Sequence, residues 1–111
     1  MQLCAKTKIF KIDKTPFAIT PMAFTQNEVI KLNFNYHSGL LKLNEGDNVE
    51  IKIHFHEKPS NTSNLYLMNG IVYEIGEKQL KCSFGGLLLD YEGEFDDIHV
   101  GDKTHITIQK I

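Results

Sequence analysis

The chain has 111 residues, of which 41% are hydrophobic and 23% are charged, and its formal net charge is −2. These values are typical of one globular domain with a single core, so we expect one domain over residues 1–111. All twelve basic residues are lysine. Arginine supplies the planar group that binds phosphates and guanine edges, and dedicated nucleic-acid binders are usually basic, so the composition argues against that class.

No segment predicts membrane insertion or export. No apolar run approaches the roughly 20 residues that span a bilayer, and residues 1–10 lack the apolar core of a signal peptide. Cys4 and Cys82 are far apart and form no Cys-x-x-Cys motif. We therefore expect an intracellular protein, with no membrane association, in which both cysteines are reduced and packed.

Alternation of apolar and polar residues predicts β-strands along the chain, and no window has a period of 3.6. The apolar positions of the clearest runs are Ile30, Leu32, Phe34 and Tyr36, then Val49, Ile51, Ile53 and Phe55, then Ile106 and Ile108. Near the N-terminus the apolar parity switches between Ile9 and Phe10, which predicts a β-bulge. The fold class is therefore all-β.

Turn residues separate the predicted strands. They are Ser38-Gly39, Glu45-Gly46-Asp47, Asn69-Gly70, Gly93 and Gly101-Asp102. Pro16 and Pro21 predict an edge or irregular segment over residues 14–27, since proline cannot donate to a strand ladder. Residues 57–64 contain Pro59 and small polar residues, and they predict one long exposed loop.

A repeat with a spacing of 55 residues is visible in the sequence. The matched pairs are Leu32 with Leu87, Phe34 with Leu89, Tyr36 with Tyr91, Leu40 with Phe95, Leu43 with Ile98, Gly46 with Gly101, Asp47 with Asp102, Ile51 with Ile106 and Ile53 with Ile108. Chance matching of alternating strands is one explanation. The other is a true repeat of two similar halves, about 1–56 and 65–111, that close into a small antiparallel barrel.

Two clusters have the residue types of metal sites but not the spacing. His54 and His56 lie two apart, on the face opposite Ile53 and Phe55, so we interpret them as a solvated strand end and expect no metal there. The acidic run at Asp90, Glu92, Glu94, Asp96, Asp97 and Asp102 lacks the glycine that a calcium loop needs at its sixth position. We interpret this run as an acidic surface for a basic partner or as a solvated turn region.

No catalytic constellation is present, so we expect no enzyme activity from the chain by itself, no cofactor and no small-molecule substrate. Residues 83–86, Ser-Phe-Gly-Gly, lack both the nucleophile elbow and the lysine of a phosphate loop. Two glycines between apolar strands instead predict a bulge or the close approach of another backbone.

Two segments carry a resemblance to one family. Residues 66–73, Tyr-Leu-Met-Asn-Gly-Ile-Val-Tyr, and residues 83–89, Ser-Phe-Gly-Gly-Leu-Leu-Leu, resemble the eighth subunit shared by eukaryotic nuclear RNA polymerases and the archaeal RNA polymerase subunit that is its counterpart. Residues 43–47 match a family turn more weakly. Eukaryotic members carry a long loop between the two halves, so the short 57–64 segment makes the archaeal form the better match.

The resemblance implies an oligonucleotide-binding-like barrel of two similar halves. It also implies a non-catalytic polymerase subunit that docks on the largest subunit, located in the cytoplasm if archaeal and in the nucleus if eukaryotic. Aromatic residues and methionine suit an interface core, and glycines permit close approach. We therefore predict a partner interface at Tyr66, Met68, Tyr73, Phe84, Gly85, Gly86 and Leu87, although the same residues suit the barrel interior.

Two other hypotheses stay open. Lys6, Lys8, Lys11 and Lys14, with Tyr36, Tyr66 and Tyr73 as stacking groups, suit a free-standing barrel that binds single-stranded nucleic acid. Direct nucleic-acid contact is the weaker expectation because arginine is absent. The third hypothesis is a small metal-binding barrel centred on His54 and His56.

Overall fold

The computed structural model describes residues 2–14, 19–57 and 66–111. Its regular elements are eight β-strands, which confirms the all-β prediction. The strands are β1 Gln2–Asp13, β2 Met22–Gln26, β3 Lys31–Asn35, β4 Asn48–Phe55, β5 Tyr66–Ile75, β6 Gln79–Phe84, β7 Leu87–Glu92 and β8 Lys103–Lys110. The described residues include no helix that is long and apolar enough to cross a membrane.

The strands form one closed antiparallel barrel in the order β1-β2-β3-β7-β6-β5-β8-β4. Strands β1 to β4 are arranged in the spatial order 4-1-2-3, and β5 to β8 repeat this arrangement as 8-5-6-7. Each set is thus a Greek key of four strands. The two Greek keys join only through like strands, because β3 pairs with β7 and β4 pairs with β8.

The register of these junctions matches the 55-residue repeat. Phe34 pairs directly with Leu89, and Lys52 pairs directly with Thr107, each 55 residues further along the chain. On either side of Lys52 the pairs are Ile51 with Ile108 and Ile53 with Ile106. Exchanging the two halves reproduces the same pairs, so an approximate two-fold axis passes through each junction. The two similar halves predicted from the sequence are therefore present in the fold.

Both halves contain a bulge at equivalent points. The ladder between β1 and β2 shifts register between Ile9 and Lys11, and the ladder between β5 and β6 shifts between Val72 and Glu74. The additional residues are Phe10, as predicted from the parity switch, and Tyr73. Both side chains are turned outward, because an additional residue in one strand reverses its alternation at that point.

The interior of the barrel is filled by the inward residues of all eight strands. The largest fully buried side chains are Phe34, Phe55, Ile9, Leu32, Ile51, Ile53, Leu80, Leu89, Ile106, Ile108, Val49 and Val72. Tyr36 and Tyr91, which are equivalent in the repeat, are also buried. The Tyr91 hydroxyl donates to the Glu94 carbonyl oxygen at 2.6 Å, which fixes the connection that follows β7.

Three expectations about local structure are wrong. Within the predicted edge or irregular segment 14–27, β2 pairs with both β1 and β3, because Pro21 precedes the strand and withholds no donor from its ladder. Asn69 and Gly70 lie inside β5 and form no turn. Gly85 and Gly86 form neither a bulge nor a close backbone contact: they are the two-residue turn between β6 and β7, with φ of +63° and +98°. Positive φ at both positions suits a type I′ hairpin.

Residues 15–18 and most of the predicted loop 57–64 lie outside the described residues. The boundary between the two halves at that loop stays a prediction.

Candidate protein-docking groove

An open groove of about 860 Å³ lies at one end of the barrel. Four parts of the fold meet there: the connection after β3, the start of β5, the β6–β7 turn and the end of β8. The lining residues are His37, Leu40, Leu41, Tyr66, Leu67, Met68, Asn69, Phe84, Gly85, Leu87, Ile108, Gln109 and Lys110. Most of these side chains are apolar and none is acidic, so the groove is suited to an apolar ligand surface.

The base of the groove belongs to the barrel core. Met68, Phe84 and Ile108 are buried there, and they point inward from β5, β6 and β8 respectively. Leu40 lies on the rim and is 75% exposed. Leu40 therefore extends the apolar surface of the groove that a partner could contact.

Tyr66 connects the start of β5 to the connection after β3. Its hydroxyl oxygen accepts the His37 backbone N–H at 2.9 Å, and its O–H donates to the Met68 sulfur at 3.4 Å. Burial raises the pKa of Tyr66, and the hydrogen bond from His37 opposes this effect. Through its hydrogen bond with His37, the tyrosine thus connects two walls of the groove.

Five of the seven predicted interface residues line this one groove: Tyr66, Met68, Phe84, Gly85 and Leu87. Tyr73 and Gly86 do not line it. Tyr73 is the bulge residue of β5 and is exposed on the outer surface, and Gly86 is at the tip of the hairpin. Met68 and Phe84 are also buried in the barrel interior, as the alternative reading of these residues expects, and their part in a partner interface stays a prediction.

Sequence reasoning missed the residues contributed by other elements. Leu40 and Leu41 lie in a turn after β3, and Lys110 is at the end of β8. The adjacent leucines at positions 40 and 41 interrupt the polar composition of that turn, which is the one signal in the sequence that could have indicated a surface contact. Their proximity to β5 depends on the tertiary fold.

The two histidines proposed as metal ligands do not face a common site. His54 lies on the outside of β4 opposite His105, whereas His56 follows the strand with φ of +72° and places its Nε2 3.0 Å from Asp102 Oδ2. A residue with positive φ leaves the strand geometry, so the expected shared face is lost. Among the described residues no group of three or more His, Cys, Asp or Glu side chains is placed to hold a metal ion.

Asp102 organises the turn before β8. Its Oδ2 accepts the His99 N–H at 2.8 Å and contacts His56. The hydrogen bond from His99 N–H, followed by the bond from His56, lowers the pKa of Asp102. Asp47 makes the equivalent turn bond in the first half, to the Asn44 N–H at 2.8 Å.

The acidic run is partly neutralised by lysines. Lys78 lies 3.2 Å from Glu94, and the carboxylates of Asp90 and then Glu74 raise the pKa of Lys81. The segment is thus a mixed-charge surface in which some of the acidic groups already have partners within the chain.

The cysteines differ in environment. Cys82 is buried, as expected, but Cys4 is exposed on the outer side of β1, so the expectation that both are packed is wrong for Cys4. Position 4 falls on the outward parity of β1, between the inward side chains of Leu3 and Ala5. Burial raises the pKa of the Cys82 thiol to about 12.

One of the three tyrosines expected to stack on nucleic acid is buried, since Tyr36 fills the end of the barrel. A different aromatic surface is present on β1 and β2. Phe10 is 55% exposed, its ring centroid lies 6.3 Å from that of Phe24, and the Lys11 ammonium lies 5.2 Å from the Phe24 centroid.

Comparison with known proteins does not assign the chain to a family. A scan against protein-family models gives no match. A search of curated proteins likewise gives no matching relative.

Proposed function

We propose that the chain is a non-catalytic subunit of a multisubunit DNA-directed RNA polymerase, of the archaeal type, and that it docks on the largest subunit through the groove. One observation supports this above the rest. The two segments that resemble the polymerase subunit family, residues 66–73 and 83–89, are separate in sequence, yet both contribute to the same groove.

The physical character of the groove suits a protein partner. Its base is apolar, its rim carries the exposed Leu40, and its ionisable rim groups are His37 and Lys110. An apolar centre with a polar rim is the usual organisation of protein interfaces. The chain's role would then be to stabilise the assembly, and the catalytic groups would belong to other subunits.

The test is co-purification with matched variants. Leu40 is 75% exposed within the groove, and Val29 is 78% exposed in the β2–β3 turn, outside it. Replacing either by glutamate should leave the fold intact. Within an interface, however, Leu40→Glu would bury an unpaired carboxylate, at a cost of about 2 kcal/mol or more and a fall in affinity beyond about tenfold.

The tagged chain should therefore recover the two largest polymerase subunits in stoichiometric amounts from its native cell through a high-salt wash. The Val29→Glu variant should do the same, and the Leu40→Glu variant should recover little. If the unmodified chain recovers no polymerase subunit, the proposed function is wrong. If both variants recover the polymerase equally, the groove is not the contact.

Binding of single-stranded nucleic acid is the second candidate, and the cluster of Phe10, Phe24 and Lys11 favours it. An exposed ring beside a lysine is suited to base stacking with a phosphate contact. Titration of an oligothymidine should then show binding that weakens with salt, with a log–log slope of roughly −0.7 per phosphate contacted. A flat titration at low salt would dismiss this candidate.

A further inference from the structure

Strand β5 has one edge that is only half paired. Its ladder with β8 runs from Tyr66 to Ile71, whereas its ladder with β6 begins only at Ile71, opposite Ser83. The β6–β7 hairpin ends just beyond, at Gly85 and Gly86. Among the described residues, no strand pairs with the Tyr66–Gly70 half of β5 on the side away from β8.

The direction of the backbone groups follows from neighbouring bonds. The Val72 N–H donates to the Asp102 carbonyl at 3.0 Å, and the Val72 carbonyl accepts the Gly101 N–H at 2.8 Å. Both groups of Val72 therefore point toward the β8 side. Since successive residues of a strand alternate, the N–H and C=O groups of Leu67 and Asn69 point toward the open edge, at the groove.

The first half of the barrel provides an internal comparison. In the 55-residue repeat, Ile51 corresponds to Ile106. Ala5 pairs with Ile51 and Met68 pairs with Ile106, so each position in β1 corresponds to the position 63 residues later in β5. Asn69 thus corresponds to Lys6. The Lys6 carbonyl accepts the Asn27 side-chain N–H at 3.0 Å, a bond made from the longer β2–β3 turn. The β6–β7 turn is two glycines without side chains, so it offers no equivalent bond.

The outer side chains beside the open edge also differ between the halves. Leu67 and Ile71 correspond to Cys4 and Lys8, and Leu88 corresponds to Asn33 in the 55-residue repeat. Ile71 is 45% exposed and Leu88 is 42% exposed. At positions 71 and 88 the second half is thus apolar where the first half, with Lys8 and Asn33, is polar.

We propose that an extended apolar segment of the docking partner adds to β5 as a further strand, pairing with Leu67 and Asn69 in the groove. This inference rests on the proposed function, since it specifies how the largest polymerase subunit is held. The occupant must have a free backbone, because Leu67 and Asn69 offer main-chain donors and acceptors. Its side chains must be apolar toward Met68 and Phe84, which form the base of the groove.

Proline substitutions separate this mode from contact by side chains alone. Proline at position 67 removes only an N–H that points to the open edge, so the ladder between β5 and β8 keeps its hydrogen bonds. Proline is tolerated at such edge positions. Cys4→Pro is the matched control, because Cys4 occupies the equivalent position in β1. We expect Leu67→Pro to weaken binding to the purified largest subunit about tenfold. Cys4→Pro should leave that affinity unchanged.

Hydrogen exchange provides a second measurement that does not depend on a variant folding. In the free protein, the Leu67 and Asn69 amides should exchange quickly and the Met68 amide slowly. In the complex with the largest subunit, the peptide covering residues 66–70 should gain protection, and the equivalent peptide 3–7 should not.

A complex that forms without protection at residues 66–70 would overturn strand addition and leave the proposed function standing. A chain that forms no complex with the largest subunit would refute the proposed function, and strand addition with it.

Discussion

Gly70 is the position at which a single methyl group should disturb the barrel most. A Cβ at this position would overlap the Ser83 carbonyl oxygen and would lie 2.6 Å from Phe84 Cδ1 and 2.8 Å from the Ser83 carbonyl carbon. Carbon atoms in contact are normally about 3.5–4.0 Å apart. Two of these three neighbours are main-chain atoms, so no change of rotamer relieves the overlap, and β5 and β6 must separate.

The magnitude follows from two opposing effects. Overpacking costs about 1–3 kcal/mol, and the rigid neighbours place Gly70→Ala near the upper end. Removing a glycine from a strand returns about 0.5–1 kcal/mol. We expect a net loss of about 2 kcal/mol in the free energy of unfolding, which lowers the melting temperature by about 8 °C in a domain of this size.

Gly76→Ala is the control, measured with Gly70→Ala by thermal melting and urea denaturation. The nearest atom to a Cβ at Gly76 is Gln79 Cβ at 3.4 Å, which is ordinary contact. That variant should keep or slightly raise the stability of the parent chain. If Gly70→Ala melts within about 2 °C of both the parent and Gly76→Ala, the close packing of β5 on Ser83 is wrong.

Two further predictions concern titratable groups. At about pH 8 a thiol reagent should modify the exposed Cys4 in the native protein and should reach Cys82 only after denaturation. The thiolate is the reactive form, and the raised pKa of the buried Cys82 keeps its thiol protonated. Two rapidly reacting thiols in the native protein would contradict the burial of Cys82. The pKa of Asp102 is lowered in the folded chain, so its stabilising effect is present above its ordinary pKa of 3.8 and is lost as the pH falls through the lower folded value. Asp102→Asn should therefore melt at a lower temperature than the parent at about pH 6, and the difference in melting temperature should shrink toward about pH 3. The exposed Asp96→Asn variant is the control. A difference that stays constant over that pH range, or one of equal size in the control, would contradict the stabilising role of the ionised Asp102.

The repeat and the strands were predictable because they depend on local patterns. Alternation identifies a half-buried strand wherever one face is apolar, and the 55-residue spacing reports matched strands and turns. Even the bulge at Phe10 was visible, as a switch of parity. Each of these signals lies within a short stretch of sequence.

The errors arose where a tertiary contact changes the role of a turn-forming residue. Asn-Gly is the strongest short signal for a hairpin, yet Gly70 lies within β5. Glycine is needed there because the Ser83 backbone occupies the space that a side chain would fill. The Gly-Gly pair at 85 and 86 carried the turn instead. Pro21 precedes β2, and proline before a strand disturbs no ladder bond.

The groove could be predicted only in part. The motif residues of β5 and β6 indicated one wall, but the leucines of the connection after β3 and the end of β8 join them only in the folded barrel. The open edge at Leu67 and Asn69 depends on the unequal lengths of two turns in equivalent positions. That comparison requires the register of both halves, which the sequence alone does not provide.

The like-to-like junctions of the two Greek keys have an evolutionary consequence. Because β3 meets β7 and β4 meets β8 about two-fold axes, two separate copies of one four-stranded unit satisfy the same geometry. A homodimer of that kind must have the same strand edge, capped or open, at both ends of the barrel, because both of its subunits have the same sequence. Joining the copies in a single gene removes that constraint. One half can then keep its asparagine cap while the other half replaces polar residues with leucine and isoleucine. The two ends of the barrel thereby become different, and one of them can specialise in binding.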